Sequence, residues 1–261
     1  MTINIQPNSP IILGLSGKAG SGKTSVAEQI VPKGSFANMV NGIVWDHIFY
    51  ALPLYELASI RKTISGTNAD SRQLFAIHSV LFDIYGGSPL GSIPSYQDFV
   101  ERVSTIKSLQ IEPEGIKPRS FLQKAGDICR QDYADCFAKW GVFKANRIYN
   151  QYIKSLSEDE EESTFGVIIS DVRFENEAEL ILQQPNGFVV YFDADQEVLN
   201  QRILNRDGKI MTDEQKNHIS EQQTEIVKSI ATSVIDCSSM TIEQQTNATL
   251  GLIKSLEVSN A

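Results

Sequence analysis

Ile11 to Leu15 is a short apolar run that passes directly into Ser16-Gly17-Lys18-Ala19-Gly20-Ser21-Gly22-Lys23-Thr24, and Ser25 to Ile30 then takes on helical character. This order predicts a strand, a glycine loop and a helix. Gly42-Ile43-Val44-Trp45 predicts the next strand, and Ile48 to Arg61 carries apolar residues at helical spacing, with Pro53 placing the start of that helix near itself. From Ser65 to Pro118 the pattern blurs. Helices fit Ser71 to Asp83 and Tyr96 to Leu109, with a Gly/Ser/Pro loop over Gly86 to Ser95 between them, so the stretch reads as an insertion. Ser120 to Ser155 is mostly helical with a break near Asp132, and the acidic run Ser157 to Ser163 after it reads as a solvated loop.

The pattern then alternates. Phe165 to Ser170 is a buried-type strand ending at Asp171, Glu175 to Gln183 a helix, and Phe188 to Phe192 another strand. Strand, helix, strand points to a parallel sheet. Val198 to Asn205 reads as a helix, Arg206 to Gln223 as a polar segment containing a glycine, Val234 to Asp236 as a last short strand and Ile242 to Leu256 as a closing helix. The expected fold is therefore α/β in three layers, with a central, mostly parallel sheet.

Composition narrows the functions open to such a fold. The 261 residues hold 23 Lys plus Arg against 32 Asp plus Glu, a formal charge of −9, which argues against a nucleic-acid polyanion as the main partner. Any bound phosphate must meet a local cluster of donors. Cys129, Cys136 and Cys237 are odd in number and lack a CxxC or Cys/His ligand spacing, which argues against disulfides and zinc and for a reducing, cytoplasmic setting. No run approaches the length of a membrane span, and the N-terminal MTINIQPNSP lacks the basic start and apolar stretch of a secretory signal, so a soluble, unprocessed chain is expected.

Gly17 to Thr24 matches G-x-x-x-x-G-K-[ST] in full, in the strand-to-helix setting that the motif requires. Glycines let successive N–H groups point inward, and the positive helix end completes a nest for phosphate oxygens. Nucleoside triphosphate binding follows, with Gly17, Ala19, Gly20, Ser21, Gly22, Lys23, Thr24 and Ser25 around ATP, Lys23 reaching the β- and γ-phosphates and the Thr24 hydroxyl on Mg²⁺. Asp171-Val172-Arg173 lies at the carboxyl end of a buried strand, where open α/β sheets bind ligands. Asp171 suits a metal or an acceptor, and Arg173 offers a planar fork to a phosphate, unless the pair only caps the following helix; Glu177 reads as structural. Gln123, Asp127 and Arg130 recur at helical spacing, either to read a base edge and a phosphate or as a surface ion-pair ladder, and Arg119 shares that choice. Phe137 and Trp140 either stack a base or pack in the core. Arg202, Arg206, Lys209, His218 and Glu221 lie together in the polar segment, where the arginines either close over the phosphates from a mobile segment or are ordinary solvated charges, with His218 structural rather than an acid or base.

LSGKAGSGKT, Tyr50-Ala51-Leu52-Pro53-Leu54, Leu122-Gln123-Lys124-Ala125-Gly126-Asp127, Asp171-Val172-Arg173 with Asn176-Glu177, and His218-Ile219-Ser220-Glu221 occur in the same order in bacteriophage-type deoxynucleoside monophosphate kinases, which the chain resembles from about Ile11 to Leu256. It is similar, more distantly, to phosphomevalonate kinase of the animal type. It departs from the phage family at Leu52 and Tyr55, where a small or acidic residue and a lysine are usual. The resemblance implies a P-loop kinase domain over 1–261: a core of about 9–45 and 119–258, a helical acceptor-binding insertion over about 46–118 and a lid over about 202–223. It implies transfer of the γ-phosphoryl of ATP, with Mg²⁺, to a deoxynucleoside monophosphate (dNMP), in the host cytoplasm if the chain is phage-encoded. The acceptor would meet Arg72, Arg119, Gln123, Arg130 and Phe137, with Asp171 and Arg173 beside the transferring phosphate; Lys23, Arg202 and Arg206 would stabilise its charge, and Thr24 and Asp171 would position the metal. Neither nucleic acid nor membrane is an expected partner, and some relatives form homodimers. A P-loop kinase for another small phosphorylated metabolite and a nucleotide-switch ATPase are the competing readings.

Overall fold

The computed structural model describes residues 6, 8–35, 37–86, 95–157 and 163–257. The centres of two expected loops, Gly86 to Ser95 and Ser157 to Ser163, lie outside the described residues. By its internal packing the chain divides into two compact units, one of residues 1–49 and 144–261 and one of residues 50–143. The second is wider than the insertion expected over 46–118, because it also takes in the helix that starts at Arg119 and the first turns of the next.

In chain order the elements are β1 (Ile11–Ser16), α1 (Lys23–Ile30), β2 (Asn38–Val40), β3 (Ile43–Ile48), α2 (Leu52–Thr63), α3 (Ser71–Gly86), α4 (Tyr96–Ser108), α5 (Arg119–Asp132) and α6 (Cys136–Ser155). Then follow β4 (Phe165–Val172), α7 (Glu175–Leu182), β5 (Gly187–Asp193), α8 (Gln196–Asp207), α9 (Asp213–Lys216), α10 (Ile219–Ile230), β6 (Ser233–Asp236) and α11 (Ile242–Glu257). Among the described residues, one sheet of six strands runs β2-β3-β4-β1-β5-β6, parallel throughout except for the edge pair β2–β3.

The central strands read as continuous apolar runs because they are covered on both faces. Ile11, Leu13 and Leu15 of β1 join Val26, Ala27 and Ile30 of α1, Phe188, Val190 and Phe192 of β5, and Leu250 and Ile253 of α11 in one core layer. On the opposite face α7 lies so close to β1 that a Cβ on Gly14 would stand 2.9 Å from Ile181 Cδ1. Side chains that alternate across β1 therefore feed two helical layers.

β2 went unread, although Asn41-Gly42 carries the signal for it. Asn41 (φ 54°) and Gly42 (φ 83°) form the two-residue, left-handed turn of a hairpin that pairs Val40 with Ile43, so Gly42 belongs to the turn rather than to the strand.

In the second unit, α2 begins with Pro53 in its first turn, as expected. Ser95 caps α4 by accepting from the Asp98 N–H at 3.3 Å. Arg102 of α4 grips the Asp132 carboxylate at the end of α5, and Trp140 of α6 donates to Asp83 of α3 at 2.8 Å. The break near Asp132 is the turn between α5 and α6. All three cysteines are buried free thiols.

Two glycines give stability tests of opposite sign. A Cβ on Gly187 would fall 1.7 Å from the backbone oxygen of Ile181, which only a shift of α7 can relieve, so Gly187→Ala should cost about 1–3 kcal/mol or more. Gly251, exposed in α11, has nothing within 4 Å of the added carbon, and Gly251→Ala should gain roughly 0.5–1 kcal/mol. Urea midpoints of the two variants against wild type check both signs.

Candidate functional site

The glycine loop of residues 17–22 takes its form because β1 ends against its neighbours and only glycine can take the turns at Gly17 and Gly22. Ser16 is fully buried and its hydroxyl donates to the Val172 carbonyl at 2.8 Å, which pins the strand end. At Gly17 φ is +133°, and a Cβ would stand 2.4 Å from the Phe192 backbone oxygen. At Gly22, the residue before α1, φ is +102° and a Cβ would stand 2.5 Å from Gln245 Oε1. Positive-φ turns of this kind, followed by the N-terminus of a helix, make a nest of backbone donors and positive dipole suited to an anion. Thr24 and Ser25 lie exposed in that first turn. Lys23 lies folded over the loop: its Nζ donates to Gly17 O at 2.5 Å, Lys18 O at 2.9 Å and Ser21 Oγ at 3.3 Å.

The neighbouring strand β4 carries an irregularity at the level of this loop. Gly14 pairs with Ile169 and Ser16 with Val172, so β4 holds one residue more than β1 between the two pairings. Bulges of this kind re-aim side chains beside ligand sites. Here the extra length falls at Ser170 and Asp171, and β4 runs on through Asp171 to Val172 instead of stopping at Asp171. The buried Ser170 hydroxyl shares a 2.7 Å hydrogen bond with His47 Nε2 on β3. Burial pushes the His47 imidazole down from its ordinary value, against the opposing pull of the Asp171 and Glu28 carboxylates. His47 and Ser170 were missed in the sequence; the available signal was a polar pair at the carboxyl ends of two adjacent strands.

Beyond the bulge, the backbone N–H groups of Arg173 and Phe174 donate to Glu177 Oε2 at 2.8 and 3.1 Å, so the helix-capping work falls to Glu177. The Arg173 side chain pairs with Glu221 of α10 instead. The second oxygen of Glu221 accepts from the Ala19 N–H of the phosphate loop at 3.3 Å. One turn along α10, Glu225 pairs with Lys18 at 2.7 Å. Burial alone would push the Glu221 carboxyl up, but Arg173, Lys23 and the Ala19 N–H together hold it below its ordinary value. In turn the Glu221 carboxylate, outweighing burial, raises the Arg173 guanidinium still further, so this arginine stays charged.

The polar segment expected over Arg206 to Gln223 turns out largely helical, and its charges separate. α9 starts from a Thr212 cap, and the His218 side chain caps α10 by accepting from the Ser220 N–H at 3.2 Å. These caps are legible as T-x-x-Q and H-x-S-E within a stretch that reads from sequence only as a polar segment. Arg202 donates to the carbonyl oxygens of Cys237 and Met240 at 2.8 and 3.4 Å, and Arg206 forks onto the carboxylate of its neighbour Asp207. Lys209 is exposed. Of this constellation it is Glu221, to which the sequence reading assigned no role, that reaches the loop.

In the second unit, Arg119, Gln123, Asp127 and Arg130 share one half-buried face of α5, as their spacing predicts. Phe137 is 1% exposed and Trp140 3%, and the Arg130 guanidinium lies over the Phe137 ring at 4.6 Å. Both aromatic rings are packed in the core rather than presented as a stacking wall. Arg72 is exposed on α3. Among the described residues, no group of three or more His, Cys, Asp or Glu could hold a metal ion, and no helix is long and apolar enough to cross a membrane.

No family model matches the sequence, and neither does any curated protein. Similar solved structures include TT1252 from Thermus thermophilus, at 15% identity over 94% of this chain and 99% of that one with a TM-score of 0.39. An uncharacterized protein from Eubacterium ventriosum aligns at 11% identity over 95% and 99%, with a TM-score of 0.35. Shikimate kinase from Bacteroides thetaiotaomicron aligns at 11% over 94% and 98%, with a TM-score of 0.33. Scores this low leave the site to be argued from its own geometry.

The Glu221 pairing makes stability depend on pH with a definite sign. The carboxyl titrates lower in the folded chain than its ordinary 4.5, so its contribution is present at neutral pH and lost as pH falls through the folded value. Glu221→Gln should be less stable than wild type at pH 7 by on the order of 1–3 kcal/mol, with a smaller gap at an acidic pH well below 4.5. Urea titrations at the two pH values measure it.

Proposed function

We propose that the chain is an ATP- and Mg²⁺-dependent kinase that transfers the γ-phosphoryl of ATP to the phosphate of a dNMP, giving ADP and the diphosphate. The observation that carries this reading is the guanidinium of Arg173, brought by Glu221 to the mouth of the phosphate loop. A hydrolytic ATPase needs a carboxylate beside the strand acid to activate water; a planar cation there suits an incoming phosphate.

Phosphate as acceptor also explains why no general base is required. Its oxygen is already anionic, so the attacking oxygen bonds to Pγ, the bond from Pγ to the bridging oxygen breaks, and ADP leaves with that electron pair. Catalysis is then alignment and charge stabilisation. Lys23 leaves the three loop oxygens for the β- and γ-phosphates, the N–H groups from Ala19 to Ser25 hold the triphosphate, and Arg173 neutralises charge between donor and acceptor. Arg202 and Arg206, in the proposed lid over about 202–223, would exchange their present carbonyl and carboxylate partners for phosphate as the lid closes.

The Thr24 hydroxyl and the Asp171 carboxylate are hard oxygen donors that fit Mg²⁺, which in such sites takes its remaining ligands from phosphate and water. When bound, it neutralises charge on the β- and γ-oxygens. Acceptor binding is assigned to Arg72, Arg119, Gln123 and Arg130 of the second unit, where the α5 face offers an amide and guanidinium groups together.

ADP production from Mg·ATP, measured across dAMP, dGMP, dCMP, dTMP and GMP with a no-acceptor control, tests the proposal. Turnover should depend on one or more dNMPs, and Lys23→Ala should lower kcat by roughly 10² or more. Hydrolysis without acceptor would favour the switch ATPase. Silence with every nucleotide would favour a kinase for another phosphorylated metabolite.

A further inference from the structure

Four of the groups that a phosphate loop and its surroundings offer to a triphosphate are already engaged within this chain. Lys23 Nζ is spent on Gly17, Lys18 and Ser21. The Ala19 N–H is spent on Glu221 Oε2 at 3.3 Å, and Arg173 on Glu221 Oε1. Lys18 is held by Glu225 at 2.7 Å. Both carboxylates come from α10, four residues apart, a spacing at which like charges repel along a helix. Their placement is unfavourable to α10 alone and is offset by what they meet on the loop. Glu221 is the more enclosed of the two, its side chain 10% exposed against 51% for Glu225. It also bridges two phosphate-directed donors that belong to different elements.

We propose that Glu221 is a resident anion of the phosphate loop, exchanged for the triphosphate on binding and restored when product leaves, so that it sets nucleotide affinity. The inference rests on the nucleotide-binding reading above. A carboxylate oxygen accepting from a loop N–H and from an arginine makes the contacts a phosphate oxygen would make, with one negative charge where the nucleotide brings several. The two anions cannot share these donors without strong mutual repulsion at contact distance. Binding therefore displaces Glu221 from Ala19 and Arg173, and nucleotide affinity is lowered by whatever those contacts contribute. With the loop empty, Glu221 keeps Arg173 at the site and leaves its charge compensated.

This role makes a prediction opposite in sign to a supporting one. If Glu221 merely held Arg173 and the loop in shape, removing its charge would weaken nucleotide binding. As a competitor, its removal strengthens it. Calorimetric titration of ADP and ATP, each with Mg²⁺, into wild type, Glu221→Gln and Lys23→Ala decides between them, with stopped-flow measurement of the ADP off-rate. Glu221→Gln keeps the shape and an acceptor oxygen but not the charge, and should bind both nucleotides at least about fivefold tighter, within the usual span of site-to-site coupling, with a slower ADP off-rate. Glu221→Asp, one methylene too short to hold Ala19 and Arg173 together, should fall between it and wild type and serves if the glutamine variant does not fold. Unchanged or weaker binding in the folded variants overturns the proposal while leaving nucleotide binding intact, provided that wild type binds and Lys23→Ala does not. Binding by none of the proteins removes both readings. Binding by Glu221→Gln where wild type shows none supports the resident anion in its strongest form.

Discussion

The left-handed turns at Gly17 and Gly22, forced where β1 runs out between β4 and β5, are the constraint on which the rest of the site depends. A side chain at Gly17 would strike the backbone of β5, and one at Gly22 would strike Gln245 of α11. At these two positions the loop can therefore close only without a side chain, the kind of turn that makes a nest of backbone donors. Everything nearby is arranged by the same strand end. Ser16 ties β1 to Val172, and the extra residue of β4 falls at Ser170 and Asp171, beside that tie.

Electrostatics shape the site in a way that the net charge hides. A chain of charge −9 still gathers Lys18, Lys23 and Arg173 around one helix N-terminus. Cations so close together, beside a positive helix end, would repel one another if left bare. Two glutamates on one face of α10 compensate them, and under the proposed nucleotide-binding reading an entering polyanion has to displace carboxylate. The same pairing keeps Arg173 charged and in place.

How much of this was legible in the sequence depended on how local its cause was. The strand, glycine loop and helix at Ile11 to Ile30 were readable in full, because glycine spacing, lysine and threonine are all set within eight residues by the backbone turn itself. Buried strands and amphipathic helices were readable from their periods, and Pro53 marked the start of α2. The β2–β3 hairpin was announced by Asn41-Gly42, yet three residues at an edge give too little alternation to stand out. The bulge in β4 was not legible, since it arises from pairing between strands separated by the whole second unit. Nor was the role of Glu221 legible: it is made by contacts to residues 48 and 202 positions away, and in sequence it is one more acid in a polar stretch. Phe137 shows the same limit from the other side, because its helical spacing fitted a stacking wall as well as the packed ring that carries Arg130.

The central claim is that this loop delivers the γ-phosphoryl of ATP to another phosphate. The most direct test follows the phosphorus itself: ³¹P NMR of purified protein with Mg·ATP and the dNMPs. The account predicts paired resonances of a new deoxynucleoside diphosphate growing in step with those of ADP, with no matching rise in inorganic phosphate. A spectrum in which the lost γ signal reappears only as inorganic phosphate, or in which ATP persists unchanged, would contradict it.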